Sequence, residues 1–537
     1  MTAPTHEFPR ETAGLPAASV TTAVELSESE RFALRIAPVS KRIGDATVRM
    51  LAYNGSIPGP TLRVAQGSEI HIDVENEGDH ENTVHWHGLR LENRFDGTHE
   101  TQEPIAIGGR FASRVQFPDA GVYWYHPHIR EDYGQELGLY GNVIVVPSDP
   151  DYWAPVNREI AITLDDVLIE DGKIAAFSPT ETTYAAMGRF GNVLLVAGQP
   201  DLALTAQAGE VVRFYLTNTA NTRVFKVALP GARMKLVGGD SGRVEREGFV
   251  EEVVLAPSER AILDVLFHTP GPLTLEHRTP DRTYTLARIA VAEEAATPSL
   301  ETEFEVLRTD PELTAERQRL VPLLDEPPDK TLAFVAEMDM GEPDVGPDGA
   351  LVYGCPMHPE IASETADHCP KCGMKLMPAR LIPANAAAHA ANGHSHEDAG
   401  GIEWEDDMVE VNKLTTPENM RWKLVDRAND AENHAIDWKF RVGDQVKIRL
   451  VNEMDSDHPM HHPFHIHGAG RFLVLSRDGR PEPNLVWKDT VLIPTGQTVD
   501  LLLDVTNPGL WMAHCHIAEH MHSGMMFSFT VDRAVTP

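Results

Sequence analysis

The sequence predicts an all-β chain folded as three β-sandwich domains. Two observations carry this: one strand-and-turn unit occurs three times, and glycine (40) and proline (39) are plentiful, as short strands joined by turns require. Gly67-Ser-Glu-Ile-His-Ile-Asp-Val-Glu-Asn76 reads as a turn followed by an alternating strand. Gly209 to Asn218 and Gly443 to Asn452 repeat the design with the same spacing. Alternation with a period of two puts one face on a core and the other in water. The units also close alike, in PDAGVYWYHPH, TPGPLTLEHR and TNPGLWMAHCH, with His126, Glu276 and His514 each five residues after the glycine. These repeats set domains near 31–150, 151–310 and 311–537, behind an N-terminal tail of 1–30. Helix is sparse; TTPENMRWKLVD at 415–426 reads as at most a short one.

The charge narrows the partners. With 46 basic and 81 acidic residues the chain carries −35, which excludes nucleic acid and anionic membranes as partners and otherwise favours solubility. No apolar run is long enough to span a membrane. The opening MTAPTHEFPRETAGLPAASV lacks a basic and an apolar region, so no signal peptide is visible: the chain is cytoplasmic, or a leader has been removed. A monomer is the expected state. Four cysteines are too few for a disulfide framework; Cys355, Cys369 and Cys372 sit together, and Cys515 lies between two histidines. Both patterns suit metal chemistry.

Histidine spacing supplies the function. His85-Trp-His87-Gly starts nine residues after Asn76, and His462-Pro-Phe-His465-Ile-His467-Gly starts ten after Asn452. At the matching place the middle repeat has Val227, with no histidine near it. In a strand, His-x-His points both imidazoles to one face. Four such pairs occur, His85/His87, His126/His128, His465/His467 and His514/His516, enough for three metal ions where the outer domains meet. Neutral imidazole suits copper, zinc or iron, and Cys515 does most of the choosing. A thiolate with two imidazoles and a distant thioether is the blue-copper set, which Cys515, His462, His520 and Met525 supply. Cys515 is bonded through the chain to His514 and His516, so an electron could pass between the two centres through a few bonds.

These segments resemble the multicopper oxidases, a group including laccases, ferroxidases and bacterial cuprous oxidases, over about residues 31–537 apart from one insertion. The resemblance implies three cupredoxin-like Greek-key domains and four copper ions. A type 1 ion would sit at His462, Cys515, His520 and Met525, and a type 2 ion at His85 and His465. A type 3 pair would be held by His87, His126, His128, His467, His514 and His516. It implies one-electron oxidation of phenols, aromatic amines or Cu(I), coupled to four-electron reduction of O2 to water, and it favours a periplasmic or extracellular setting. Asp96 matches an acidic residue that passes protons in bacterial members, and is equally an Asp-Gly turn residue. Those members carry a glutamate directly after the residue equivalent to His520; here Met521 stands there, leaving Glu519 as a weak substitute.

The insertion, 341–400, holds Tyr353-Gly-Cys355-Pro-Met357-His358-Pro and His368-Cys369-Pro-Lys-Cys372-Gly-Met374-Lys-Leu-Met377. The cysteine and histidine spacing is that of a zinc ribbon, so Cys355, His358, Cys369 and Cys372 could hold a structural zinc. Interleaved Met357, Met374 and Met377 suit Cu(I) better, and the 353–378 segment resembles the small heavy-metal-binding domain of copper and silver efflux systems. The stretch 384–400, with His389, His394 and His396, reads as a linker. Met338 and Met460 match residues that bind substrate copper in cuprous oxidases, with His458 replacing an aspartate, and are equally core fillers. The alternative to an oxidase is a copper-homeostasis protein that binds and detoxifies Cu(I), with the insertion as its capture module. A nitrite reductase or a metal-free scaffold relative fits the complete ligand set less well.

Overall fold

The structure, a computed structural model, describes residues 8–342, 344–345, 351–358, 360–382 and 400–534. Each Gly-to-Asn repeat becomes a central strand, and its neighbours are the same three times over. Glu69–Asn76 runs parallel to Arg31–Ile43 and antiparallel to Arg110–Gln116. Glu210–Asn218 runs parallel to Arg158–Val167 and antiparallel to Arg260–Phe267. Gln445–Asn452 runs parallel to Lys330–Met338 and antiparallel to Thr498–Val505. A parallel neighbour in a short-stranded domain requires the chain to cross to a second sheet and return, which makes each unit a cupredoxin-like Greek-key sandwich. The sheets pair as four strands on five, six on five, and seven on five.

The three sandwiches enclose three main cores, around Ile72 and Trp124, around Phe214 and Leu263, and around Leu450 and Trp511. In the first unit the repeat strand alternates strictly between buried and half-buried positions. In the second, Glu210–Asn218 is buried along its whole length. The expected wet face is covered there because Val122 and Ile144 of the first unit pack on Tyr215 and Ile262.

The reading of 415–426 as helix is corrected. Met420–Asp426 is a strand, paired residue for residue with Leu332–Met338, so tertiary pairing overrides the local pattern. Conversely, Pro311–Leu320 is a helix with Asp310 as its cap, accepting from the Glu312 and Leu313 amides. Within the insertion, Leu351–Gly354 pairs with Ala362–Ser363 and Met377–Pro378. Its buried Met374, Leu376 and Met377 join the core of the third sandwich. His389, His394 and His396 lie outside the described residues. Among the described residues, no helix is long and apolar enough to cross a membrane.

Candidate metal centre

Strand register explains which histidines correspond. His85 pairs across its sheet with His126, and His465 with His514. In the middle sandwich the same cross-strand position is Ala228 opposite Glu276. The equivalent of His85 is therefore Ala228, one residue beyond Val227, and the equivalent in the third unit is His465, not His462. The one-face argument holds within a strand only for His85–His87; the strands carrying His126, His465 and His514 end before His128, His467 and His516. Those partners step off the strand ends, and the rings reach the cluster by different routes.

All eight imidazoles are buried and meet between the first and third sandwiches. Each is held by one ring nitrogen and turns the other inward. Nδ1 of His85 contacts the Asp96 carbonyl at 2.7 Å, that of His126 the Pro127 carbonyl at 2.7 Å, and that of His514 the Cys515 carbonyl at 2.8 Å. Nδ1 of His465 contacts the Asp489 carbonyl at 2.9 Å, and that of His467 the Asp96 carboxylate at 2.8 Å. His87 is reversed, with Nε2 on Asp489 Oδ1 at 2.9 Å. Five of the inward atoms, His85 Nε2, His87 Nδ1, His126 Nε2, His465 Nε2 and His516 Nε2, are buried with no hydrogen-bond partner among the described residues, and His514 Nε2 faces His128 Nε2 at 3.4 Å and His467 Nε2 at 3.0 Å. Buried polar atoms without partners are costly, and metal coordination is what would satisfy them. They sort into His128/His467/His514, His87/His126/His516 and His85/His87/His465. Burial, ahead of mutual repulsion, holds His87, His126, His465, His467 and His514 well below the usual imidazole range and His516 at about 3. Neutral rings are the ligand-competent form.

The second centre lies beside it. Cys515 Sγ is 3.5 Å from His462 Nδ1 and 3.7 Å from His520 Nδ1, and those two nitrogens are 3.3 Å apart. An ion about 2.0–2.3 Å from each atom closes such a triangle. Met525 is fully buried, and its carbonyl accepts from the Cys515 amide at 3.1 Å. Burial pushes the Cys515 thiol upward, so a cation is needed to hold it as thiolate.

Several supporting residues escape sequence reasoning. Arg260, from the middle sandwich, donates to Asp489 at 2.8 and 2.5 Å while Asp489 holds His87. Glu131 bridges His128 Nδ1 and His522 Nε2, both at 2.9 Å. Gly88, with φ of +87°, lets the chain pass where a Cβ would stand 2.5 Å from Asp489. Of the acidic candidates, Asp96 contacts the cluster directly through His467. Glu519 is buried, accepts from Asn221 at 2.5 Å, and is pushed up to about 7 by burial and then by Asp132.

In the insertion, Cys355 Sγ is 3.7 Å from Cys372 Sγ and from His358 Nδ1, and Cys369 Sγ is 3.6 Å from His358 Nδ1. Tetrahedral bonds of about 2.3 Å to sulfur and about 2.0 Å to nitrogen imply edges of about 3.8 and 3.5 Å. The four side chains fit one ion. Met357 and Met374 are buried in the adjoining core. Met338 and Met460 are buried too, and His458 Nε2 faces Met187 Sδ at 3.2 Å. The module docks here: Lys375 Nζ donates to the Met338 carbonyl and to Asp457, each at 2.9 Å.

Comparison with known proteins agrees along the chain. Multicopper oxidase family models match residues 38–150 and 405–535, and a heavy metal binding domain model matches 352–379. A multicopper oxidase of Mycobacterium tuberculosis is 26% identical, covering 95% of this chain and 90% of its own. The solved multicopper oxidase of Campylobacter jejuni, described as a metallo-oxidase, has a TM-score of 0.64 at 20% identity, covering 98% of this chain and 99% of its own. A laccase-like multicopper oxidase of Ochrobactrum sp., with oxidase activity towards lignin model compounds, has a TM-score of 0.64 at 21% identity, covering 96% and 100%. With two clusters of inward-facing ligands, a shared three-sandwich fold and family matches at both metal-bearing ends, the chain belongs to the multicopper oxidases, copper-dependent oxidoreductases, and carries a heavy metal binding domain.

Proposed function

We propose that the protein couples one-electron oxidation of Cu(I) or phenolic donors to four-electron reduction of O2, using four copper ions. Type 1 copper belongs at His462, Cys515, His520 and Met525, type 2 at His85 and His465. The type 3 pair belongs at His87/His126/His516 and His128/His467/His514. Copper in these places would supply a one-electron acceptor beside a centre that reduces O2. The chain does the rest. Cys515 is covalently continuous with His514 and His516, so the two centres share a route of a few bonds. The buried walls exclude water, and the hydrogen bonds to Asp96, Asp489 and Glu131 fix ring orientation. Asp96, whose Oδ2 meets His467 Nδ1, is placed to pass protons to the cluster.

The observation that carries this is the sorting of inward ring nitrogens into compact groups beside the Cys515 triangle. The test is copper content and visible absorption of the loaded protein. Four copper ions per chain beyond the insertion, with an intense band lost in Cys515→Ser, are expected; a band surviving that substitution rejects the reading.

The insertion reads as a Cu(I) capture module, supported by its docking at Met338 and at the loop leading to His462. Its closed tetrahedral set equally favours a structural zinc, and a copper-homeostasis role built on Cu(I) binding is the second reading. Deleting 341–400 and assaying Cu(I) and a phenol separately decides: unchanged Cu(I) kinetics reject capture. The same reading divides the chain at 31–150, 151–310 and 311–537 and places the protein in the periplasm or outside the cell, which cell fractionation tests.

A further inference from the structure

One short loop joins the ion site of the insertion to His462 of the second centre. The Cys369–Cys372 turn is closed by its own backbone, Cys369 donating to the Met374 carbonyl at 2.8 Å and Gly373 to the Cys369 carbonyl at 2.9 Å. His368 and Lys375 flank this turn, are bridged to each other, and both reach Asp457. Lys375 Nζ donates to the Asp457 carboxylate at 2.9 Å, the Lys375 amide donates to the Asp457 carbonyl at 2.8 Å, and His368 Nε2 lies 3.5 Å from Asp457 Oδ1. Gly373, with φ of +76°, brings the turn so close that a Cβ would stand 3.3 Å from Pro459 Cγ.

Asp457 passes this grip inward. Its Oδ2 accepts from the Met338 amide at 2.8 Å, and its own amide donates to the Ala336 carbonyl at 3.1 Å. Beside it, Ser456 Oγ accepts from the Ala336 amide at 2.8 Å. These bonds tie the loop to Lys330–Met338, whose Phe334 ring stacks on that of His462 at 5.3 Å. Further along, the Met460 carbonyl accepts from Asn452 Nδ2 at 2.7 Å, two residues before His462. The insertion does not hold itself. Its strands Leu351–Gly354, Ala362–Ser363 and Met377–Pro378 are two to four residues long, and its buried Met374, Leu376 and Met377 sit in the core of the third sandwich. So small a segment needs an ion to fold, and an ion and a docking surface that support one fold strengthen each other.

We propose that an ion at Cys355, His358, Cys369 and Cys372 locks the 454–460 loop through Lys375 and Asp457, so that the second centre retains its copper more tightly when the insertion is filled. Lys375 and Asp457 are positioning residues: they act on His462 through the loop and the strand beneath it. The ion is thiophilic and tetrahedral, Zn2+ or Cu(I). The coupling is reciprocal, so copper at the second centre also slows loss of the insertion's ion. The inference rests on the copper assignment made above for His462, Cys515 and His520.

The test has two arms. On the copper-free full chain, hydrogen exchange is followed with added zinc or with Cu(I) under ascorbate. At least one of the two ions should slow exchange of the Met338, Lys375 and Asp457 amides about tenfold in wild type and leave Cys372→Ser unchanged. On the copper-loaded chain, excess free histidine withdraws copper while elemental analysis checks that the wild-type insertion keeps its ion. The half-life of the visible band should fall about tenfold in Cys372→Ser and in Lys375→Met, within the range usual for coupled sites, and no further in the double variant, because both break one link. A full starting band shows that the variants are folded and loaded. Equal half-lives in all four proteins, or amide exchange that neither ion alters, overturn the proposal. So does an effect of Cys372→Ser that Lys375→Met does not share, because the coupling then bypasses Asp457. If wild type shows no visible band, the copper assignment itself has failed, and hydrogen exchange still reports on the lock.

Discussion

Asp489→Asn probes the brace that no local pattern announces. Asp489 is buried, accepts both terminal nitrogens of Arg260, and holds His87 Nε2 at 2.9 Å. Breaking a buried ion pair costs about 3–5 kcal/mol when a charge is left uncompensated. Here the compensation is partial. Asp240 stays 3.6 Å from Arg260, and Lys488 bridges Asp240 and Glu259, each at 3.1 Å. Two cations and two carboxylates therefore remain, which sets the loss at the low end, about 3 kcal/mol. For a domain of this size that is roughly 6–12 °C in the first calorimetric transition of the copper-free chain. Releasing His87 should also weaken copper binding at the cluster roughly ten- to a hundredfold, while the Cys515 absorption persists. A shift below about 2 °C, with copper content unchanged, would refute the assignment of Asp489 as the shared anchor of Arg260 and His87.

Asp96→Asn should lower O2-reducing turnover about a hundredfold if the carboxylate passes protons; unchanged steady-state rates reduce it to a turn residue. Cys355→Ser and Cys372→Ser should each remove one metal equivalent by elemental analysis without altering the visible band, and full retention contradicts a shared four-ligand ion. His277 provides a pH test away from both centres. Burial, then Arg223, depresses it to about 3, and its Nδ1 accepts from the Lys226 amide at 3.1 Å, which only the neutral ring can do. A depressed folded pKa gives stability that is present above about pH 6.5, the ordinary value, and lost as pH falls toward 3. The stability gap between wild type and His277→Gln should therefore narrow across that window in urea titrations; a constant gap contradicts the assignment.

The sandwiches and metal-bearing strands were legible because their signals are local. Glycine turns, period-two alternation and His-x-His lie within a dozen residues, and Gly67–Asn76 folds as the pattern implies. The second layer of the site is not local. Asp489 and His87 are 402 positions apart, so no window contains both. The available signals were charged residues in apolar strands, such as Arg260 in RAILDVLF, and the Glu131-Asp132 pair that begins three residues after His128. An arginine in such a run demands a buried partner, though not which one. At 415–426 the opposite happened: a helix-like start at TTPE lost to pairing with Lys330–Met338.

The middle sandwich shows why a copy without ligand histidines persists in such a chain. It keeps the topology of its neighbours but places Ala228 and Glu276 where they have histidines. Its charged and polar groups face outward onto the centres of the other two. Arg260 reaches Asp489 behind the cluster, and Asn221 holds Glu519 and the Ala518 amide at the helix bearing His520. Residues 184–187 cap His520 and His458. A cluster between two domains loses its geometry if they shift by an ångström, and ligand spacing is what tunes bound metal. The middle copy supplies that rigidity by gripping residues that hold the ligands of both centres, so substitutions there should alter metal affinity without removing any ligand.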